Sequence, residues 1–364
     1  MALSKIPSAG FENNAKFKNI VINGDMSISQ RATSTSGIST TGNFVLDRWK
    51  LNVDSMGAWT ISKSSDVPTG QGFATSMKWD CTTADASPAA DDNIQLQQRF
   101  EGQNLKYLKK GTSSAESTTL SFWVKSNKTG TYICELRDQD NSNRHINKSY
   151  TISSADTWEK KIITFAGDTT GTLTNDNSSS IDLNFYLGVG SNYTSGTLNT
   201  SWASTVTTNR VSGLNVNLAD STSNEWLITG VQLEVGSVAT DFEHRSFAQE
   251  LELSRRYFQQ ISPSTDGVIA LGNSWSSTLN KFVIYFNPNM RAAPTVSVNG
   301  TVKVRNASGS TQAHSGASIT LDEATTSVAQ CRATNPSGGL SGGGVGQVRI
   351  VDGTTNDLQF SAEL

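Results

Sequence analysis

From Asn19 to about Val235 apolar and polar residues alternate over short runs, the period-two pattern of strands that bury one face. The clearest runs are Phe44 to Leu51, Ala58 to Ser62, Ala74 to Trp79, Ile94 to Phe100, Thr119 to Val124, Gly130 to Leu136, Trp158 to Phe165, Ile181 to Val189 and Glu225 to Val235. About nine strands over roughly 220 residues, parted by Ser, Thr, Asn, Asp and Gly turns, predict an all-β, two-sheet jelly-roll β-sandwich. Two connections are long, Thr33 to Asn43 and Ser191 to Asn224. One segment changes period. Ser246 to Gln260 lacks Gly and Pro, sets Phe247, Leu251, Ser254 and Phe258 on one stripe, and opens with Ser246 three residues before Gln249, the spacing of a capping box. It predicts one connector α-helix. A helix this short is marginal alone, so its stripe is expected either to cover its own sheet or to meet copies of itself. Strand patterns return from Gly267 to Leu364 (GVIAL, KFVIYF, TVSV, VKV, QVRIV, LQFSAEL) and predict a smaller C-terminal β-sandwich domain. The expected organisation is therefore an arm over 1–18, a sandwich over 19–245, the helix over 246–260 and the second β domain over 261–364.

Charge narrows the function classes. Lys plus Arg number 29 against 32 Asp plus Glu, a net charge of -3, too balanced to gather a nucleic-acid backbone. The three cysteines, Cys81, Cys134 and Cys331, are too few and too scattered for a disulfide framework or a zinc knuckle, which points to folding in a reducing cytoplasm. No run of 18 apolar residues and no secretion-type leader occurs, so membrane insertion is not expected. With three histidines in 364 residues, imidazole-based catalysis and metal binding are poorly supplied, and no metal or cofactor is expected.

The string NIVINGDMSISQRAT at Asn19 to Thr33, followed by FVLDRWKL, resembles the opening of a family of bacteriophage virion proteins, the tail fibre or receptor-binding proteins. The likeness recurs in LSFWVKS at Leu120 to Ser126, in TWEKKIITF, and in NEWLITGVQLEVGSVATDFEHRSFAQELELSRRYFQ at Asn224 to Gln259. NPNMRAAPTVSV at Asn287 to Val298 and the closing SAEL are similar to the carboxy-terminal strand module often attached to that family. Where the family has Pro after VAT, this chain has Asp241. The resemblance implies a homotrimer on the virion, synthesised in the host cytoplasm, with part of its contact on Phe247, Leu251 and Phe258. The amino-terminal arm, Met1 to about Lys18, is too short to be a domain and mixed in charge, and it is expected to dock on other virion proteins.

Several candidate chemistries are weighed on the residues themselves. GLSGG at Gly339 to Gly343 matches a nucleophile elbow at Ser341, but neither a strand before it nor a helix after it is in the pattern, so a glycine-rich turn is the better reading. Asp138 and Asp140 open like a calcium loop, yet Asn143 and Ser149 stand where Gly and Glu are needed, so a hairpin turn is expected there; a structural calcium held by carboxylates from distant loops of the jelly roll stays open. Asp47, beside Arg48 and Trp49, is expected to be a salt-bridge residue rather than an acid catalyst. Eight Trp residues in a polar β protein are more informative, because sugar faces stack on indoles while Asn, Asp and Gln pair with hydroxyls. Tyr193 and Trp202, in a long polar loop, either pin that loop or belong to a binding surface. Trp275 has the same two readings, and Trp59 and Trp79 complete the candidate glycan-binding set. In LSFWVKS, Trp123 points away from Phe122 and Val124, toward a second core layer or a groove. The expected function is non-catalytic, multivalent attachment of a tail fibre to host cell-surface glycans. The alternatives are a capsid decoration or head-fibre protein and a polysaccharide depolymerase.

Overall fold

A computed structural model describes residues 18–263, 267–306, 318–334, 339–340, 342–351 and 357–364. Eleven strands build the first unit: β1 (Ser34–Ile38), β2 (Lys50–Asp54), β3 (Ala58–Ser64), β4 (Ser76–Thr83), β5 (Asn93–Glu101), β6 (Thr118–Ser126), β7 (Gly130–Asp138), β8 (His145–Ile152), β9 (Glu159–Phe165), β10 (Ser179–Val189) and β11 (Glu225–Val235). They form a six-stranded sheet, β1-β3-β4-β11-β6-β9, and a five-stranded sheet, β2-β5-β10-β7-β8, with antiparallel pairing throughout.

Period-two alternation decides which face of each strand is buried. Trp59 and Ile61 of β3, Met77 and Trp79 of β4, Leu120, Phe122 and Val124 of β6 and Leu183, Phe185 and Leu187 of β10 all meet in one core. An aromatic ladder crosses it. Phe185 lies 5.1 Å from Phe122, 6.3 Å from Trp226 and 6.5 Å from Trp49, and Tyr132 stacks on Tyr150 at 5.4 Å. Burying side chains of this size, each worth roughly 1.5–3 kcal/mol, is what offsets the ordering of so polar a chain.

The two sequence landmarks bond to each other. Asn23 adopts a left-handed conformation (φ 58) and its side-chain amide donates to Ile28 O (2.8 Å) and Asp47 O (3.0 Å), while the Trp49 indole donates to Asn23 O. A Cβ on the adjacent Gly24 would fall 2.1 Å from Val231 O, and Val231 N donates to Gly24 O. NGD and GVQLEV are therefore two sides of one joint. The run Phe44 to Leu51 is not a strand up to Trp49. Val45, Leu46, Asp47, Arg48 and Trp49 are all buried, which alternation cannot do, and a turn with Arg48 at φ 71 tucks them beneath Asn23. Asp47 pairs with Gln30 and Arg31 rather than with its neighbour Arg48.

The helix α1 (Phe247–Arg255) begins where expected, with both capping-box bonds between Ser246 and Gln249 present. It ends five residues early and buries a different face. Glu250 and Ser254 are its inward residues, with Glu250 accepting from Asn23 N and pairing with Arg245, whereas Phe247 is 62% exposed. Phe258 is buried and belongs to a strand, a correction to its place on the helical stripe and as an oligomer contact. Adjacent residues Tyr257 and Phe258 both need burial, which one helical stripe cannot give, so the chain turns at Ser254–Tyr257 and extends.

The second unit contains β12 (Phe258–Ile261), β13 (Gly267–Ser274), β14 (Leu279–Tyr285), β15 (Thr295–Asn299), β16 (Thr301–Asn306), β17 (Ser318–Ala324), β18 (Val328–Thr334), β19 (Val345–Val351) and β20 (Asp357–Ser361). They form a three-stranded sheet, β12-β20-β15, and a six-stranded sheet, β16-β19-β13-β14-β18-β17, around a core that includes Phe282, Phe286, Val348 and Phe360. Strands β8, β17 and β18 lie outside the runs that the hydrophobic pattern marks, and β1 lies within Thr33 to Asn43, which corrects the reading of that stretch as a long connection: its residues are mostly exposed, with only Ile38 buried. The joint with the first unit is ionic and aromatic. Arg256 and Tyr257 both donate to Glu101, Arg31 and Arg48 pair with Glu363, and their guanidinium groups lie 3.7 Å and 3.4 Å from the Phe258 and Tyr257 rings. The chain is thus an all-β protein: a jelly-roll β-sandwich and a smaller β-sandwich domain, with one short α-helix among the described residues.

Candidate functional site

The outer face of the five-stranded sheet carries rows of polar side chains. On β10 the inward residues Leu183, Phe185 and Leu187 leave Asp182, Asn184 and Tyr186 pointing out, and the register brings Gln97 and Gln95 of β5 and Glu135, Arg137 and Ile133 of β7 alongside them. Lys50 and Asn52 of β2 continue the rows, opposite Gln97 and Gln95.

Half of this face is roofed. The 190–217 connection crosses it, bonded to β8 through Ala203 with His145 and Asn199 with Asn147. Arg210 reaches down from it and grips Glu135 with two parallel hydrogen bonds of 2.9 and 2.7 Å. Asn184, Tyr186 and His145 complete the shell around the same carboxylate. Burial alone would raise the Glu135 pKa, but Arg210 and then His145 outweigh it and hold the carboxyl well below the usual range. It is a locked, ionised residue with no exposed surface.

The other half is open. Asn52, Gln95, Lys50, Arg99 and Arg137 are only partly buried and stand over Gln97 and Asp182. Gln97 donates to Asn184 (2.8 Å) and Asp182 (3.3 Å), Arg99 donates to Gln97 (2.9 Å), and Gln139 donates to Asp182. Burial raises the Asp182 pKa despite Arg99, and burial followed by the nearby Arg99 charge lowers that of Lys50. Three atoms of this face are covered and lack a protein hydrogen bond: Asn52 Nδ2 and Gln95 Oε1, which are neighbours in one row, and Arg137 Nε in another row across β10. A polar atom without a partner costs free energy, and the partly exposed side chains that carry these atoms, with Lys50 and Arg99, give the open half polar groups that a ligand can meet.

The residues singled out in the sequence fall in different places. Tyr193 sits at the rim of this face, where Asn93 Nδ2 approaches its hydroxyl at 3.5 Å and that hydroxyl donates to Asp91 O at 3.2 Å. Trp202 pins the roof, its indole N–H donating to Ala166 O at 2.7 Å under Lys110. Trp59 and Trp79 are fully buried, edge to face at 5.6 Å, which corrects their reading as surface binding residues. Trp275 is 71% exposed on the second unit, close to Lys281 and apart from Tyr193. Asp138 ends a hairpin, where its carboxylate accepts the backbone N–H groups of Asp140 and Asn141 and pairs with Lys110. Ser341 lies outside the described residues. Lys50, Asn52, Gln95, Gln97, Arg99, Arg137 and Asp182 went unnoticed in the sequence, because polar residues at alternate strand positions look the same on any wetted face.

No protein-family model matches the chain, and no curated protein matches it. Solved structures give distant likenesses. One is a putative sugar-binding protein from Bacteroides thetaiotaomicron, 13% identical over 60% of this chain and 99% of that one, with a TM-score of 0.33. Another is the enzymatically active domain of bacteriophage CBA120 tailspike protein 4, 14% identical over 60% of this chain, TM-score 0.31. A third is the family 11 carbohydrate-binding module of a Clostridium thermocellum cellulosomal cellulase, 13% identical over 62% of this chain and 97% of that one, TM-score 0.28. The chain spans 21% of the tailspike's length. Likenesses this distant carry no functional argument, and the fold description rests on the sheets themselves.

Proposed function

We propose that this chain is a non-catalytic glycan-binding protein of a bacteriophage virion, a tail fibre or receptor-binding protein that attaches to host-surface glycans. The observation that carries the glycan reading is the open half of the β2-β5-β10-β7 face, where the side chains of Lys50, Asn52, Gln95, Arg99 and Arg137 are partly exposed, with Tyr193 at one rim. Sugar hydroxyls both donate and accept, which suits an amide N–H, an amide oxygen and a guanidinium N–H on one surface. The non-catalytic reading is supported by the state of the carboxylates on this face. Glu135 is enclosed and saturated with donors, and Asp182 is held by Gln97, Gln139 and Ser179, so neither faces a substrate as an acid or base.

The virion reading is supported by the landmark strings, which occur in the order that tail fibre proteins show. A shallow site of this kind is weak singly, and several copies on one particle raise apparent affinity by about 10²–10⁴-fold. A homotrimer belongs to the same proposal, with the exposed Phe247 and the partly exposed Leu251 available to it. The test is a glycan array probed with the whole chain and with an Asn52→Ala/Gln95→Ala double variant. Binding of a defined set of glycans by the first and its loss in the second supports the proposal; a blank array for both contradicts it. Release of new reducing ends from a bound polysaccharide would replace it with a depolymerase. Gold-labelled antibody on capsid vertices instead of the tail would replace the fibre with a decoration protein.

A further inference from the structure

A second cleft lies on the other side of the sandwich, on the outer face of the six-stranded sheet. Strand β11 bulges between Thr229 and Gln232, and Gly230 at its centre adopts φ +63. The Phe73 ring fills the space this creates, so close that a Cβ on Gly230 would sit 2.5 Å from it. Phe73 meets Phe242 at 5.0 Å and His244 at 5.4 Å, and Gly72, also left-handed, lies against the His244 ring. These rings form one wall. Trp123 of β6 forms the floor, between Thr229 of β11 and Lys160 of β9 in the register. The cleft encloses about 630 Å³ including its open mouth.

The polar groups around Trp123 are unspent. Among the described residues, the side chains of Lys160, Asp241, His244 and Gln71 make no hydrogen bond or ion pair with the protein, although nearby Lys125 and Lys161 are engaged by Asp66 and Glu159. An indole with an aromatic wall, a carboxylate, an amide, an imidazole and an ammonium group is a set that matches a sugar ring: a stacking face for its C–H side and partners for its hydroxyls. Lys160, directly opposite Trp123 in the register, favours a negatively charged substituent at that edge of the ring, and the Asp241 carboxylate is left to accept from hydroxyls.

We propose that this cleft is a second carbohydrate site, taking a carboxylate-bearing sugar with its ring on Trp123 and its carboxylate toward Lys160. The proposal rests on the carbohydrate reading of the sandwich but uses the opposite sheet, so the two fail separately. Calorimetric titration of the whole chain with a short oligogalacturonate and with its methyl ester tests it. The acid is expected to bind about threefold more tightly than the ester, a preference that Lys160→Gln removes and added salt weakens. Trp123→Ala is expected to weaken both by roughly tenfold. The same acid-over-ester preference, and the same Lys160→Gln and Trp123→Ala effects, are expected in an Asn52→Ala/Gln95→Ala background where the first strip is silenced, which separates the two sites. Unfolding midpoints of the variants establish that they fold. Absence of binding at millimolar ligand, or binding that Trp123→Ala leaves intact in a folded variant, overturns the proposal whatever the first site does.

Discussion

The two outward faces of the sandwich treat charge in opposite ways. On the five-stranded sheet a carboxylate is taken out of water and enclosed: Glu135 is wholly buried and meets Arg210, His145, Tyr186 and Asn184. On the six-stranded sheet Lys160, Asp241 and His244 stay in water around a half-buried indole. The first arrangement fixes a loop, and the second leaves groups free for a visitor. Buried and saturated polar groups serve shape, while exposed or unsaturated ones are where affinity for a ligand can arise.

The largest effect that would sharpen this contrast is the loss of the roof. Arg210→Ala leaves Glu135 buried without its main counter-charge and is expected to cost about 3–5 kcal/mol, read as a fall in chemical-denaturation midpoint. Lys160→Ala on the other face should move the same midpoint by less than about 0.5 kcal/mol. If the two variants were equally mild, the enclosed network would not be holding the loop.

Acid should separate the same regions. Burial pushes Glu101 up, but its bonds from Arg256 and Tyr257 prevail and hold its pKa below the ordinary 4.5, as Arg210 does for Glu135. A carboxyl whose folded pKa is depressed contributes stability that is complete above its unfolded pKa and is lost as pH falls through the folded one. Stability should therefore decline as pH drops below about 4.5, with the roof and the inter-domain joint loosening. Hydrogen exchange at 190–217 and 256–261 that is unchanged from neutral pH down to the unfolding transition would contradict this.

Smaller is the effect of Gly230→Ala, which forces a Cβ onto the Phe73 ring at a left-handed position and is expected to cost about 1–3 kcal/mol while spoiling the aromatic cleft. Smallest is Phe247→Ser, on an exposed helix position, expected to lie within about 0.5 kcal/mol in thermal unfolding of the single chain. A clear concentration-dependent drop in midpoint for that variant would locate a contact between copies at Phe247.

Alternation along the chain made most strands legible, and the capping box located the start of α1 at Ser246. It was weakest where burial is two-sided or slight. Five consecutive buried residues at Val45 to Trp49 mimic a strand, β17 buries only Ile319, and β18 alternates strictly but buries the small residues Ala329, Cys331 and Ala333, which carry little hydrophobic signal. The helix end was hidden because Tyr257 and Phe258 continue a helical spacing while answering to Arg48 and Arg31 far away in sequence. Trp123 was legible as a residue facing away from its neighbours, but its partners Phe73, Lys160 and His244 come from three other segments. Asn52, Gln95 and Arg137 carry no local mark, since their meaning arises only when β2, β5, β10 and β7 are assembled into one sheet.

The central claim, that the open strip on the five-stranded sheet grips a glycan without cutting it, is tested most directly by calorimetric titration of an array-identified oligosaccharide into the whole chain. The account predicts saturable binding that Asn52→Ala/Gln95→Ala weakens by at least about tenfold at an unchanged unfolding midpoint, with the oligosaccharide recovered intact. Binding that is indifferent to those substitutions, or an oligosaccharide recovered in pieces, would contradict it.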